Sequence, residues 1–320
     1  MISVVVPLYN KAAHIERALR SIQRQTNEPA EVIVVDDGST DEGGDIVRHF
    51  EMKGLRLISQ KNQGVSAARN RGMSEASTDL VAFLDADDEW LPNHLFSFSN
   101  LIDRFPDKGL YSTMRFIHDG GGLRGSQSPF VAGCDYCNVE DFFESFAIGL
   151  SFVHSSTTLV SKTKALSVGG FPESIRHGED IILWIKIFLN SGMAHATART
   201  AIYHLDAINR SSAVRQKEPP GSLLYLADLI GGNELPLAFA DSAKTLFGKI
   251  AFFTAAGMKL SGDMEGVRSI RHLAKKSGDL RLRLALEILQ HTPLKVLELA
   301  RNFRHRPAQI KKDGMSTCLE

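Results

Sequence analysis

Leu80-Val81-Ala82-Phe83-Leu84-Asp85-Ala86-Asp87-Asp88 runs from an apolar strand straight into three carboxylates. Residues 80–84 have the length and composition of a short buried strand, and Trp90-Leu91-Pro92 reads as the turn that follows. Carboxylates a few ångströms apart repel one another, and their partial burial is costly unless a cation compensates. Oxygen ligands of this kind suit Mg²⁺ or Mn²⁺, which keep coordination positions open for phosphate oxygens. A solvated acidic turn capping the next helix is the alternative, and the rest of the chain decides between them.

Outward from this stretch, the front half alternates strands with helices. Residues 3–7 are an apolar strand, and residues 12–25 repeat Ile15, Ala18, Leu19 and Ile22 at helical spacing. Residues 31–35 form the next strand, with Ser39 and Thr40 placed to cap a helix running to residue 50. Residues 55–59 are a third strand, residues 66–76 a helix with small residues on its buried face, and residues 80–84 the fourth strand. This βαβαβαβ order predicts an α/β fold with a mainly parallel, helix-covered sheet. Ligands in such sheets sit beyond the carboxyl ends of the strands, where each polar cluster of this chain falls.

The pattern loosens after Asp119. Gly120-Gly121-Gly122 and the residues through Pro129 read as a flexible loop. Residues 157–161 are a short strand, 162–168 a short helix, Gly169-Gly170-Phe171-Pro172 a turn, and 180–189 an apolar helix containing Trp184. Beyond Pro219-Pro220-Gly221 the composition turns helical, which divides the chain into residues 1–218 and a helical region, residues 219–320. In that region residues 284–303 read as helix, with a break near Pro293.

The composition of 43% hydrophobic and 23% charged residues is that of a water-soluble globular protein. The zero net charge is unevenly spread: residues 265–312 hold 12 Lys and Arg against 4 Asp and Glu, leaving the remainder 25 against 33. No segment approaches the roughly 20 apolar residues of a membrane span, and residues 1–7 lack the basic lead of a secretory signal. Three cysteines give no disulfide framework and fit a reducing cytoplasm. Cys134 and Cys137 have no second pair to complete a zinc site and read as loop cysteines.

Several residues are placed for chemistry. Asp36-Asp37-Gly38-Ser39 ends the second strand, where a carboxylate can accept from a base N–H or a ribose hydroxyl; turn and cap chemistry is the alternative. Pro7-Leu8-Tyr9-Asn10 ends the first strand with a rigid turn and an aromatic ring. Neither Gly-x-Gly-x-x-Gly nor a P-loop is present, which argues against hydride transfer and P-loop phosphotransfer. Arg69 lies one turn inside a helix start and can meet an anion, whereas Arg71 reads as a surface residue. Glu179-Asp180 opens the Trp184 helix, either as a response to the helix dipole or as a general base.

Taken in order, the segments 3–10, 35–41, 62–72, 83–88, 169–173 and 178–180 resemble family 2 glycosyltransferases over about residues 1–215. The resemblance implies the GT-A fold of nucleotide-diphospho-sugar transferases. It further implies inverting transfer of a sugar from a nucleotide diphosphate, most readily UDP, to a hydroxyl acceptor in glycan or polysaccharide synthesis. Pro7, Tyr9, Asp36, Asp37, Arg69, Asp85 and Ala86 would then bind the nucleotide sugar. Asp87 would hold Mn²⁺ or Mg²⁺, with Asp85 and His204 as further candidate ligands. Asp180 would be the catalytic base, with Glu179 alongside. Tyr203-His204 and Arg210-Ser211-Ser212 match the variable loop after the base. That loop and the Gly120 segment are candidates for closing the site.

The Gln-x-x-Arg-Trp motif of processive synthases is missing, which favours one transfer per encounter. A sugar nucleotidyltransferase would carry a Gly-rich loop after the first strand, and a non-catalytic scaffold would be expected to lose one of the acids. The basic tail, with Arg281, Arg283, Lys295, Arg301, Arg304 and Arg306 among apolar residues, is expected to pack as a bundle or self-associate. The alternative is contact with anionic lipid beside a lipid-linked acceptor at the inner membrane face. Nucleic acid is not an expected partner, since no reader motif is present.

Overall fold

Strand β1 (Ile2–Leu8) is buried along its whole length. Its side chains alternate between two apolar clusters, Val5 facing one and Val4 and Val6 the other. This burial on both faces is what a central parallel strand needs, and the rest of the molecule is arranged around it. The computed structural model describes residues 1–130, 134–149, 152–208, 218–276 and 279–297.

In chain order, β1 leads to α1 (Ala12–Gln23), β2 (Glu31–Asp36), α2 (Gly43–His49), β3 (Leu55–Ser59), α3 (Val65–Glu75) and β4 (Leu80–Phe83). A two-residue strand β5 (Glu89–Trp90), α4 (His94–Arg104), β6 (Leu110–His118), β7 (Leu123–Gly125), β8 (Tyr136–Val139) and α5 (Phe142–Ile148) follow. The sheet is completed by β9 (Thr158–Ser161), α6 (Lys162–Ser167), α7 (Glu179–Ser191) and β10 (Met193–His204). The helices α8 (Gly221–Gly231), α9 (Ala240–Leu260), α10 (Met264–Lys276) and α11 (Leu280–His291) complete the described elements.

The sheet order is β3-β2-β1-β4-β9-β6-β10-β5, with β7 on β6 and β8 on β10. Strands β3, β2, β1 and β4 are parallel, and β9 runs antiparallel to both β4 and β6. Because β10 is parallel to β6, the carboxyl ends of β1, β2, β4, β6 and β10 all emerge along one edge. Helices α1, α2 and α4 cover one face through Ile15, Leu19, Val47 and Phe98. The other face carries α3, α5, α6, α7 and the four C-terminal helices, which join a single cluster holding Trp184, Phe142 and Phe247. No helix among the described residues is long and apolar enough to cross a membrane.

The α/β expectation holds, with corrections in detail. Ser39 and Thr40 do not cap α2, which starts at Gly43 without a side-chain cap. The Ser39 hydroxyl instead accepts from Asn10 N, and Thr40 N donates to Asn10 Oδ1, at 3.0 and 2.8 Å. Of the expected turn Trp90-Leu91-Pro92, Trp90 lies in a strand paired with β10 while Pro92 turns, and the expected loop at residues 119–129 contains β7. Tyr203 and His204 lie within β10 rather than in a loop. Cys134 and Cys137 form a disulfide, against the expectation of unpaired loop cysteines, because the turn before β8 brings their Cα atoms to 6.1 Å. Arg210, Ser211, Ser212, Arg301, Arg304 and Arg306 fall outside the described residues.

At the opposite edge of the sheet, Glu31 ties three segments together. Its carboxylate accepts from Ser3 Oγ (2.9 Å), Ser77 N (2.6 Å) and Arg56 Nη1 (3.0 Å). Burial pushes this carboxyl up, but the bonds from Ser77, Ser3 and Arg56 outweigh it and hold it at about 2 instead of 4.5. A lowered carboxyl stabilises the fold above the unfolded value and loses that contribution as pH falls from 4.5 through about 2. Glu31→Gln is therefore expected to cost about 1.5–3 kcal/mol at pH 7 and to lose less between pH 4.5 and 2 than wild type does. Denaturant unfolding across that range checks it.

Candidate active site

The chain leaving β4 places Asp85, Asp87 and Asp88 in three different environments. Asp88 is buried, accepting from Ser156 Oγ at 2.5 Å and from the His204 backbone N–H at 3.3 Å. Burial, reinforced by the charges of Asp85 and Asp87, pushes its carboxyl well above the usual range. Asp87 receives the Lys11 ammonium at 2.6 Å, and Arg17 Nη2 donates to its backbone carbonyl at 2.5 Å. Asp85 donates its backbone N–H to Ser156 Oγ at 3.2 Å and turns its carboxylate toward Arg69.

Arg69 joins the two acidic motifs. Its guanidinium is buried, with Nη2 2.8 Å from Asp85 Oδ1 and Nη1 3.0 Å from Glu179 Oε1. The guanidinium also lies 5.3 Å from the centre of the Phe171 ring. Burial opposes its charge, but Asp85 and Glu179 more than offset that, so its affinity for the proton rises. Burial likewise pushes Asp85 up, yet Arg69 brings it below its ordinary value. Glu179 goes the other way: burial and the neighbouring Asp180 push it up to about 7 despite Arg69. Asp180 is also raised by burial, against the pull of Arg69 and the Ile181 N–H at 2.8 Å.

Local sequence explains how Arg69 reaches this position. Gly72 lets α3 lie against the sheet, since a Cβ there would meet Val5 Cγ1 at 2.4 Å. Asn70 then grips the Gly-Gly-Phe-Pro turn, exchanging 2.8 Å bonds with both the N–H and the carbonyl of Phe171. Gly170 adopts φ +65°, and a Cβ there would lie 2.7 Å from Asn70 Oδ1, so no side chain fits. Phe171 is thereby fixed against Arg69 and at 5.6 Å from Trp184 on α7, the helix that opens with Glu179 and Asp180. Arg71 points outward to Glu75 at 2.9 Å, as expected.

The expected nucleotide residues line the same edge. Pro7 is buried at the end of β1, while Tyr9 is 47% exposed just beyond it. Asp36 is buried and accepts from Ser39 N at 2.9 Å. Asp37 accepts from Gln60 Nε2, Gln63 N and Gly64 N at 2.7 to 2.9 Å, so its carboxylate is held rigidly at the start of α3. Ala86 is buried between the acids. Lys11, which sequence reasoning missed, bridges Asp87 and the carbonyl of Ile208 (2.9 Å). Its place next to Asn10 at the end of the first strand was the available signal.

His204 is brought beside His118 and Asp206, not into the group formed by Asp85, Asp88 and His154. His154 and Arg115 were also missed, and Tyr203, read with His204 as part of the loop after the base, packs beside them. The Tyr203 ring lies 4.6 Å from His154 and 5.8 Å from the Arg115 guanidinium. Burial pushes His154 down to about 3 and Arg115 down to about 10. The site thus combines a carboxylate facing a cation at Asp87, an ion-paired carboxylate at Asp85 and two high-affinity carboxyls at Glu179 and Asp180. That set can hold a polyanion through a cation on one side and accept a proton on the other.

The family described as Glycosyl transferase family 2 matches residues 3–162. An uncharacterized glycosyltransferase of Rickettsia bellii is 30% identical over 192 residues, covering 58% of this chain and 26% of its own length. The amylovoran biosynthesis glycosyltransferase AmsB of Erwinia amylovora is 30% identical over 194 residues, 58% of this chain and 62% of its own. The chain thus spans only part of the curated relatives it matches. Among solved structures, S. aureus TarS 1-349 in complex with UDP-GlcNAc is similar, with a TM-score of 0.72 and 20% identity. That likeness covers 94% of this chain and 92% of TarS 1-349; it is one of fold, and it extends through the C-terminal helices.

Removing Arg69 would leave the partly buried Asp85 and the buried Glu179 without their shared counter-charge. Arg69→Met is expected to destabilise the fold by about 3–5 kcal/mol at pH 8. The loss should be smaller at pH 5, because the orphaned carboxyls then take up protons. Equilibrium unfolding at the two pH values checks this, and equal losses at both would contradict the bridge.

Proposed function

Because the chain belongs to glycosyl transferase family 2 and has the GT-A fold, we propose that it is an inverting, metal-dependent transferase. It would move a sugar from UDP to a hydroxyl acceptor in glycan or polysaccharide synthesis. The observation that carries this reading is the Arg69 bridge, which sets Asp85 of the donor motif and Glu179 of the base motif on one guanidinium. The UDP-GlcNAc and UDP complexes of TarS and the polysaccharide role in the name of AmsB support the nucleotide and the product class. Residues 1–218 would carry the chemistry, with residues 219–320 as a helical region packed beside it.

Pro7, Tyr9, Asp36 and Asp37 would line the nucleotide pocket, with Asp37 accepting from the base and Tyr9 stacking beside it. Asp85 and Ala86 would meet the ribose, and Arg69 would hold Asp85 in place for it. Beside Asp87, ligand atoms of Asp85, Asp88 and His154 lie within 4.8 Å of one another, a set that could hold a divalent cation, and Asp87 itself already faces one positive charge, the Lys11 ammonium. Asp87, with Asp85 as a second candidate ligand, would hold Mn²⁺ or Mg²⁺, which supplies neutralisation of the leaving diphosphate.

The acceptor hydroxyl would attack the anomeric carbon from the face opposite the diphosphate. Asp180 would take its proton as the new carbon–oxygen bond forms and the bond to the diphosphate breaks. The burial that raises Asp180 makes it a stronger proton acceptor than an exposed aspartate. Glu179 would keep Arg69 and Asp180 in register. Lys11, beside Asp87, would supply a second positive charge for the departing UDP.

Asp180→Asn is expected to lower UDP release from a UDP-sugar by about 10²–10⁴-fold while leaving donor binding nearly intact. Asp87→Asn should abolish the metal-dependent part of turnover. Coupled UDP-release assays with and without Mn²⁺, paired with donor titrations, check both. Collapse of donor affinity in Asp180→Asn would overturn the assignment of the base.

A further inference from the structure

The last turn of the sheet edge carries a second cluster with different ligand chemistry. His118 and His204 are register partners on the parallel strands β6 and β10, so their rings project side by side, 5.2 Å apart. Leu205 N donates to the His118 carbonyl at 2.7 Å, and the chain then folds back, with Ala207 N reaching the His204 carbonyl at 3.4 Å. That turn sets Asp206 against both rings. Asp206 Oδ1 is 3.2 Å from His118 Nδ1 and 3.5 Å from His204 Nδ1.

Two features set this apart from an ordinary ion pair. His204 is only 8% exposed, yet neither of its ring nitrogens has a hydrogen-bond partner. Burying an imidazole unsatisfied at both nitrogens is costly. The two Asp206-to-imidazole spacings, 3.2 and 3.5 Å, also suit a coordination polyhedron: tetrahedral ligands at about 2.0–2.2 Å from zinc lie roughly 3.3–3.5 Å from each other. A cation on Nδ1 would put the His204 proton on Nε2, which faces Glu89 Oε2 at 3.5 Å. A carboxylate behind a ligating histidine is the arrangement that fixes tautomer and ring orientation in zinc sites.

We propose that His118, His204 and Asp206 form a binding site for a zinc-type divalent cation, sharing no residue with Asp85, Asp87 and Asp88. Two imidazoles and one carboxylate favour Zn²⁺ or its neighbours over the Mg²⁺ or Mn²⁺ that suit an all-oxygen set. The cation would brace the chain leaving β10. Ile208 in that chain accepts from Lys11 Nζ at 2.9 Å and donates to His14 Nε2 at 3.3 Å, and Lys11 also contacts Asp87. Occupancy of the histidine site is thereby mechanically linked to the donor edge, without depending on which sugar is transferred or on transfer itself.

The test uses the full chain, stripped of metal and titrated with Zn²⁺ or Co²⁺ alone, with no nucleotide present. One cation per chain is expected, with Co²⁺ giving the visible bands of a tetrahedral nitrogen–oxygen site. His118→Gln, at a half-exposed position, and Asp206→Asn should each abolish the bands while the circular dichroism is unchanged. Glu89→Gln should weaken affinity by about tenfold, as loss of an outer partner does. Asp87→Asn, which touches the site only through the Lys11 link, should keep the cobalt bands. Wild-type affinity in His118→Gln, or loss of binding in Asp87→Asn, would overturn the proposal, and neither result bears on UDP-sugar turnover.

Discussion

One buried guanidinium holds this site together. Arg69 enters from α3 and is held by carboxylates from two remote parts of the chain, Asp85 after β4 and Glu179 at the start of α7. A buried ion pair is not in itself a large source of stability, because desolvation consumes much of the attraction. Its value here is positional. Asp85 and Glu179 belong to elements that share no strand pairing, and the guanidinium fixes their separation while leaving Asp180 beside them with a raised proton affinity. Gly72, Asn70 and the Gly-Gly-Phe-Pro turn serve the same end, since each controls how closely α3 approaches its neighbours.

The half of the fold built from β1, β2, β3 and β4 was legible in the sequence because each strand is apolar and each ends at a turn residue. The half built from β6, β8 and β10 was not. In β6 and β10 the inward positions include Ser112, Thr113, His195 and Thr200, all buried, so alternation of apolar and polar residues does not mark them as strands. Their partners lie in remote elements, Ser112 with His195 at 2.6 Å and Thr113 with Thr200 at 2.8 Å. Such pairings depend on contacts some 85 residues apart in sequence and have no local signature.

The candidate site divides in the same way. Asp85, Asp87, Glu179 and Asp180 stood out because carboxylates were concentrated at a strand exit and a helix start. Lys11, Ser156, His154 and Arg115 did not, since single polar residues acquire meaning only when the fold brings them together. His204 was singled out, but its neighbours were not legible: its register with His118 is set by β10, a strand the sequence concealed. The C-terminal helices were legible as helices, but not their place; α8 to α11 join the core that holds Trp184 and so help fix α7, the helix that presents Asp180.

The central claim is that the carboxyl edge of this sheet is a UDP-sugar site completed by a divalent cation at Asp87. Calorimetric titration of UDP, GDP, CDP and dTDP into the metal-stripped chain, each with and without Mn²⁺, tests it most directly. The account predicts tight binding of UDP alone, dependent on Mn²⁺ and lost in Asp87→Asn. Binding that ignores both the base and the metal, or no binding to a chain shown to be folded, would contradict it.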